Sequence, residues 1–579
     1  MVNLTIDEKQ VQVKEGTTIL EAALSAGIKI PTLCRWKGLN EIGACRVCIV
    51  EVKGMELLPA SCVTLCEEGM EVYTTSPRVY EERKTNVELI LSEHNQQCLT
   101  CQRSGNCELQ NLTSSLEIFD TRFEKKYTSY PWPSDFPLQR NNEKCIKCMR
   151  CIQVCDKMAD SNIWELNFSG GRTTVWTKDG KNIKDLNCTL CGQCIEHCPT
   201  AALISQDETE EFFGSNGILN DKSKIKVVSI APAVRASWKE ELDDSFKNAS
   251  LKKLVGLLKK LGFDYVFDVD FGADLTIMEE ASELLEHLKE KDKHKWPLFT
   301  SCCPAWVYYL KSNHKEFEPN LSTAKSPNQM QGAIIKSYFA NKIRTTPDNI
   351  YNVAIMPCVA KKRENNYSAI NSNEKADNGV KDVDKVLTIR ELSVLIKKSN
   401  ININDIEECD FDSPLGESTG GGVIFASTGG VMESALRSAY YFITGENPPE
   451  LAFKDARNVK NRKEASFTIN GMELKCAVVT TLKEAANLLD EIKSGKSYFD
   501  FVEVMACPSG CVSGGGQPIH SEGNSRIKER QKDIYSRDND AVLKNSYENP
   551  SIKKLYNEFL KSPNSDAAHH YLHVDHSKY

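Results

Sequence analysis

Two stretches of the chain, CIKCMRCIQVC at 145–155 and CTLCGQCIEHCP at 188–199, repeat one spacing, C-x2-C-x2-C-x3-C. Cysteines set so densely in register are most simply kept as thiolates around metal, and the rest of the chain strengthens that reading. Sixteen of the 23 cysteines precede residue 200, mostly in pairs or triplets two residues apart, and seven are scattered over the remainder. Twenty-three in 579 residues is well below the roughly 8–10% of small disulfide scaffolds. A 64.9 kDa chain is long enough for several domains and a buried catalytic core. Its formal net charge of -8 leaves no broad basic footprint for nucleic acid or anionic lipid. The N-terminus has no targeting pattern, and no apolar run approaches the roughly 20 residues that span a bilayer. A cytoplasmic protein without membrane contact is expected.

The doubled run has the pattern of bacterial two-cluster ferredoxins, in which the fourth cysteine of each run serves the other cluster. Cys145, Cys148 and Cys151 therefore group with Cys198, and Cys188, Cys191 and Cys194 with Cys155, each set holding a [4Fe–4S] cluster. Upstream, two strand patterns, VNLTI and KQVQV, precede a helix signal from Thr18 to Gly27 with capping-box spacing between Thr18 and Glu21. Cys34, Cys45, Cys48 and Cys62 follow. Their C-x10-C-x2-C-x13-C order resembles a [2Fe–2S] ferredoxin fold although it differs from the plant spacing; Cys66 is read as a spare thiol. His94, Cys98, Cys101 and Cys107 form the next set. By spacing alone they suit tetrahedral zinc as well as a cluster, and their redox-active neighbours favour a [4Fe–4S] cluster. Fifteen cysteines and one histidine thus supply four clusters, three of them [4Fe–4S] and one [2Fe–2S].

From about residue 223 the pattern becomes α/β. Four strand-like runs end in unusual residues: KVVSIAPAVR, PLFTSCCPAW, YNVAIMPCVAKK and FVEVMACPSGC. Ligands of open α/β sheets bind outside the carboxyl ends of strands, so Cys303, Cys358, Cys507 and Cys511 are expected to share one metal site.

The motifs TSCCPAW (300–306), MPCVAKK (356–362) and EVMACPSGCVSGGGQP (503–518) resemble the three signatures of [FeFe]-hydrogenases, and the modules before them resemble the clostridial monomeric type. The resemblance covers nearly the whole chain. It implies a β-grasp [2Fe–2S] domain (1–78), a His/Cys3 [4Fe–4S] segment (79–126), a two-[4Fe–4S] ferredoxin-like domain (127–209) and a two-lobed α/β catalytic domain (210–579). It further implies an H-cluster between the lobes, a [4Fe–4S] cube joined to a two-iron unit carrying CO, cyanide and an azadithiolate. Carried over, Cys303, Cys358, Cys507 and Cys511 hold the cube, and Cys511 also bridges to the two-iron unit. Lys361 lies near a cyanide, Pro232, Met356, Phe425, Val431 and Met505 wall the pocket, and Asn328 approaches the two-iron unit. The implied reaction is 2H+ + 2e- ⇌ H2, with ferredoxin or a similar small carrier as electron partner and maturation proteins installing the two-iron unit in a monomer. The implied proton path runs from Cys302 through Glu280 and Ser322 to Glu283.

Unaided, the sequence reads some of these residues differently. Helical periodicity over LTIMEEASELLEHL sets Met278, Ala281, Leu285 and Leu288 on the apolar stripe and leaves Glu280 and Glu283 in solvent. Lys361, beside Lys362 and Arg363, reads as a surface lysine. Gly514–Gly516 permit either close backbone approach around the cofactor or a simple turn. Ser509, Asn328 and Ala233 depart from the usual family wording, and Cys66, Cys409 and Cys476 match no motif. No Gly-rich nucleotide fingerprint follows a strand, so any nicotinamide chemistry needs another subunit, as in electron-bifurcating or NAD(P)-linked complexes. Non-catalytic relatives, hydrogen sensors or iron–sulfur assembly factors, tend to lack the cysteine at 302 or parts of the signatures.

Overall fold

The computed structural model describes residues 1–289, 296–372, 380–449, 453–457, 461–519 and 523–578. Alternation in VNLTI and KQVQV yields the expected hairpin, Val2–Ile6 with Lys9–Val13. Glu71–Tyr73 joins it in parallel and Glu51–Val52 closes the edge, giving a four-stranded sheet. The Ile19–Ser25 helix buries Ile19, Leu20, Ala22 and Ala23 against this sheet. Thr18 caps it by accepting from the Glu21 N–H, but the Glu21 carboxylate turns to Lys37 and Arg35, so only half of the capping box forms. Gly27 ends the helix at φ 76°.

The helix Pro77–Ser92 leads to the second cysteine set, and its buried Arg83 donates to the carbonyls of Val47 and Ile49 in the first. In the third module, Leu138–Arg140 pairs with Leu203–Ser205, and the helices Arg150–Lys157 and Gln193–Glu196 each carry part of a cysteine run. Two buried side chains tie the modules together. Arg150 makes two 2.9 Å bonds to Glu108 and donates to the carbonyls of Cys34 and Arg35. Asn40 donates to the carbonyls of both Cys34 and Cys148.

The catalytic region holds two four-stranded sheets. One is wholly parallel, in the order Tyr265–Asp268, Ile225–Ile230, Ile350–Met356, Lys385–Thr388. The other runs Leu298–Phe299, Phe501–Met505, Met472–Thr480, Arg462–Ile469, with only the last strand antiparallel. Strands such as IYNVAIM and FVEVM are apolar throughout because both faces are covered. The helix Val269–Lys289 is buried around most of its circumference. The C-terminal segment returns over residues 323–325, where Val574 and Leu572 exchange backbone bonds with Thr323 and Lys325. Among the described residues no helix is long and apolar enough to cross a membrane.

Glycine governs the contact between the cysteine modules and the catalytic region. A Cβ on Gly515 would lie 2.4 Å from the Gly192 Cα, and one on Gly514 would lie 2.3 Å from the Pro357 carbonyl oxygen. Gly514–Gly516 all lack positive φ, so close approach, rather than a turn, requires them. What approaches is protein backbone, including the neighbouring module. We predict that Gly515→Ala lowers stability by about 1–3 kcal/mol, the cost of overpacking a rigid contact, as measured by anaerobic chemical denaturation of the cluster-loaded protein.

Candidate active site and cluster sites

Strand ends position three of the four thiols. Leu298–Phe299 and Phe501–Met505, in one sheet, lead to Cys303 and Cys507. Ile225–Ile230 and Ile350–Met356, in the other, lead to Pro232 and Cys358. The sequence pattern treated these four ends as equivalent, whereas the site lies between two sheets, each contributing two ends. Cys511 enters from the loop after Cys507, where Gly510 has φ 80° and a Cβ would meet the Thr428 nitrogen at 2.6 Å. Ser509 has no positive φ, which is why a serine is accommodated there but not one position later.

The four thiols interact electrostatically with one another. Burial pushes all the resolved ones up, with Cys511 reaching about 12. Thiols raised in this way would not ionise together by themselves; a cationic metal group would supply the missing charge. The donor set therefore fits an iron–sulfur cube. Beside it is a cavity of about 70 Å³ lined by Pro232, Ala233, Cys302, Asn328, Met356, Lys361, Phe425, Met505 and Cys511. Val431 packs behind it with Phe425, Met505 and Cys302. Two side chains suit a polar occupant: Asn328, whose buried Nδ2 has no protein partner, and Lys361.

Lys361 is buried, not solvated as its basic neighbours suggest. Its Nζ donates to Glu364 at 2.9 Å and to the Cys302 carbonyl at 3.3 Å. Burial lowers its pKa, but Glu364 and the thiols of Cys358 and Cys302 outweigh that effect and raise it, so the ammonium persists. Glu364 was not singled out from the sequence, although its i,i+3 spacing from Lys361 was a readable signal.

Periodicity also misplaces the glutamates. Glu280 is fully buried and Glu283 is 8% exposed, because their helix packs against neighbours on its polar side as well. Ser322 Oγ donates to Glu283 Oε2 at 2.6 Å, and the Ser301 N–H donates to Glu280 at 3.4 Å. Glu280 Oε2 has no protein partner. Burial, with the charge of Glu283 adding, pushes Glu280 up to about 8. Burial also raises the Cys302 thiol, and Glu280 is the next contributor. Glu503 is a buried acid the sequence reading missed. It accepts from the Gly429 and Met432 N–H groups at 2.7 Å, and so fixes the start of the helix Gly430–Thr444, which carries Val431.

Of the N-terminal sets, the first and third bring their thiols near one another. Cys34 pairs with Cys45, and Cys48 with Cys62; within these pairs Cys45 is held down to about 6 and Cys48 to about 7, while Cys34 and Cys62 are pushed up. Cys66 lies in the core of that module. The buried Nδ1 of His94 has no protein partner, and burial pulls its pKa down to about 4, the neutral form a metal ligand needs. In the doubled run, Cys198 neighbours Cys148 and Cys151, and Cys155 neighbours Cys188, Cys191 and Cys194, with Cys151 also beside Cys155 and Cys194. Gln193, for which the sequence gave no signal, reaches from this module to donate to Cys507 Sγ at 3.3 Å.

Known proteins share this arrangement. The family described as the iron only hydrogenase large subunit, C-terminal domain, matches residues 224–515, and the iron hydrogenase small subunit matches 524–578. A 2Fe-2S cluster binding domain matches 1–77, an NADH-ubiquinone oxidoreductase-G iron–sulfur binding region 83–122, and a 4Fe-4S dicluster domain 144–202. An NADP-reducing hydrogenase subunit, HndD, of Solidesulfovibrio fructosivorans is 40% identical across 100% of this chain and 99% of its own. Iron hydrogenase 1 of Clostridium pasteurianum is 36% identical over the full length of both. The chain belongs to the iron-only hydrogenase family. A solved structure of the [FeFe]-hydrogenase HydA1 from Chlamydomonas reinhardtii, 36% identical, covers 63% of this hydrogenase and 97% of its own chain with a TM-score of 0.55.

The hydrogenase carries [2Fe–2S] and [4Fe–4S] domains ahead of its H-cluster domain. Because Glu280 titrates near 8 when folded and near 4.5 when unfolded, the folded state binds the extra proton between those values, and stability falls as pH rises through them. Glu280→Gln removes this contribution. The stability of the variant relative to the parent should therefore rise with pH from about 4.5 to about 8 and then level off, as read by denaturation across that range.

Proposed function

We propose that this hydrogenase interconverts protons, electrons and H2 at an H-cluster that Cys303, Cys358, Cys507 and Cys511 would hold. The convergence of these thiols beside a cavity carrying Lys361, Asn328 and Cys302 is the observation that supports it most. The two-iron unit, when bound, supplies the site at which hydrogen is made or split. Around it, Lys361 neutralises anionic ligands and, paired with Glu364, keeps its charge where burial would otherwise remove it. Asn328 offers a free amide donor. Pro232, Met356, Phe425, Val431 and Met505 exclude water, which strengthens those polar contacts.

Electrons would pass through four accessory clusters: a [2Fe–2S] cluster on Cys34, Cys45, Cys48 and Cys62, and three [4Fe–4S] clusters on the sets that include His94, Cys145 and Cys188. The Cys188 set adjoins the catalytic cube, because Cys191 interacts with Cys303 and Cys507. Protons would travel separately. The Cys302 thiol donates or accepts one, Glu280 takes it through its unpartnered oxygen, and the Ser322 hydroxyl links Glu280 to Glu283. An acid poised near 8 suits such exchange at neutral pH.

The electron partner is read as ferredoxin in a monomeric cytoplasmic enzyme. The full-length similarity to an NADP-reducing hydrogenase subunit favours a second reading, a catalytic subunit served by a nicotinamide-binding partner. Reduced ferredoxin should drive H2 evolution by the purified matured chain alone; activity with NADPH that appears only when a flavoprotein copurifies would establish the second reading. Replacing Cys302→Ala should reduce turnover by about 10²-fold or more, the scale of a lost proton-transfer group, while iron content stays unchanged. Full activity in that variant would remove Cys302 from the path.

A further inference from the structure

We infer that Thr323 and His573 carry the proton path onward from Glu283 to a surface cavity. The inference rests on the assignment of Glu283 to that path. Glu283 uses its second oxygen, Oε1, to accept from both the N–H and the hydroxyl of Thr323, each at 3.0 Å. The same hydroxyl lies 2.7 Å from His573 Nδ1. His573 Nε2 lies 3.0 Å from Glu279 Oε2, and Glu279 already accepts from the Tyr556 hydroxyl and the Asn564 N–H. The imidazole is therefore fixed between two carboxylates, with one hydroxyl between it and Glu283.

The Thr323 hydroxyl has one proton and two acceptors, which gives the array two states. When the hydroxyl donates to Glu283, it must accept from His573 Nδ1–H, and the ring carries both protons, its Nε2–H facing Glu279. When His573 has lost its Nδ1 proton, the hydroxyl turns and donates to that nitrogen. In the step between them, His573 Nδ1–H gives its proton to Thr323 Oγ1 as Thr323 gives its own to Glu283 Oε1. One proton enters Glu283, one leaves the ring, and the threonine is unchanged; hydrogen uptake runs the sequence backwards. His573 and Thr323 line a cavity of about 520 Å³, together with His569, His576 and Asp575. His569 lies beside His573 with its ring tilted by 37° and the centroids 4.2 Å apart. Once Glu283 has passed its proton on and the Thr323 hydroxyl has turned back to it, a proton from water in this cavity can return to His573 Nδ1. The C-terminal segment that carries His573 is bonded to the Thr323 strand through Val574 and Lys325, which sets the ring against the hydroxyl. Thr323 and His573 are positioning and relay groups, since neither touches the reacting atoms.

The test uses the matured full-length enzyme with a reduced viologen. Thr323→Val and His573→Gln should each slow H2 evolution by about tenfold or more, with iron content and the infrared bands of the two-iron unit unchanged. Thr323→Ser should keep the parental rate, and added imidazole should restore His573→Ala. A second readout is independent of turnover: nitrogen NMR of histidine-labelled protein, assigned by loss of the signal in His573→Gln, should show His573 sampling a ring with both nitrogens protonated. Parental rates in Thr323→Val and His573→Gln beside an inactive Glu283→Gln would overturn the extension and leave the path to Glu283 standing. Parental rates in Glu283→Gln itself would overturn the path on which it rests. Slow variants that neither serine nor imidazole restores would mark Thr323 and His573 as structural, and so would a His573 fixed in one neutral tautomer.

Discussion

Four cysteine sulfurs brought into a dry interior from two different sheets are stable as ligands only if a cationic group joins them. Burial raises the proton affinity of Cys358, Cys507 and Cys511, and mutual repulsion raises it further. The arrangement of the catalytic region follows from meeting that need. Parallel strands end at one place, glycine lets the loop of Cys511 pass under Thr428, and Lys361 with Glu364 sets a persistent positive charge beside the sulfurs. A second charge relation runs away from the metal side, where Glu280 is buried on the helix it shares with Glu283 and so holds its proton more tightly than a surface carboxylate.

Under the proposed function, two traffic routes would leave this centre in different directions, and different materials build them. The electron side is backbone against backbone: Gly192 meets Gly515, Gln193 reaches Cys507, and Asn40 and Arg150 join the cysteine loops of separate modules. Close, rigid contact would keep successive clusters near one another. The proton side is a chain of hydroxyls, carboxyls and imidazole on the Val269–Lys289 helix, residues 322–323 and the C-terminal segment. Hydroxyls can turn and carboxyls can exchange protons, so this side is built from movable hydrogens instead of fixed contacts.

Cysteine spacing made the N-terminal third legible, because ligands of one cluster must be near in sequence when short loops carry them. The β-grasp hairpin and the Ile19–Ser25 helix were legible for the same local reason, down to Thr18 and Gly27. The catalytic site was legible as four strand ends but not as two sheets, since the pairing of distant strands leaves no periodic trace. The errors share one cause. Glu280, Glu283 and Lys361 look exposed by pattern because polar residues usually face water, yet here the opposing face is also protein. Residues that matter through a partner far along the chain, such as Gln193 with Cys507 or Thr323 with His573, carry no sequence signal at all.

The central claim is that the four strand-end thiols hold a cube coupled to a two-iron unit carrying CO and cyanide. Infrared spectroscopy of the anaerobically matured enzyme tests it most directly. The account predicts sharp CO and cyanide bands that shift when the sample is exposed to H2 and that are lost in Cys511→Ala. A fully matured sample with parental iron content and no such bands, or bands that survive in Cys511→Ala, would contradict it.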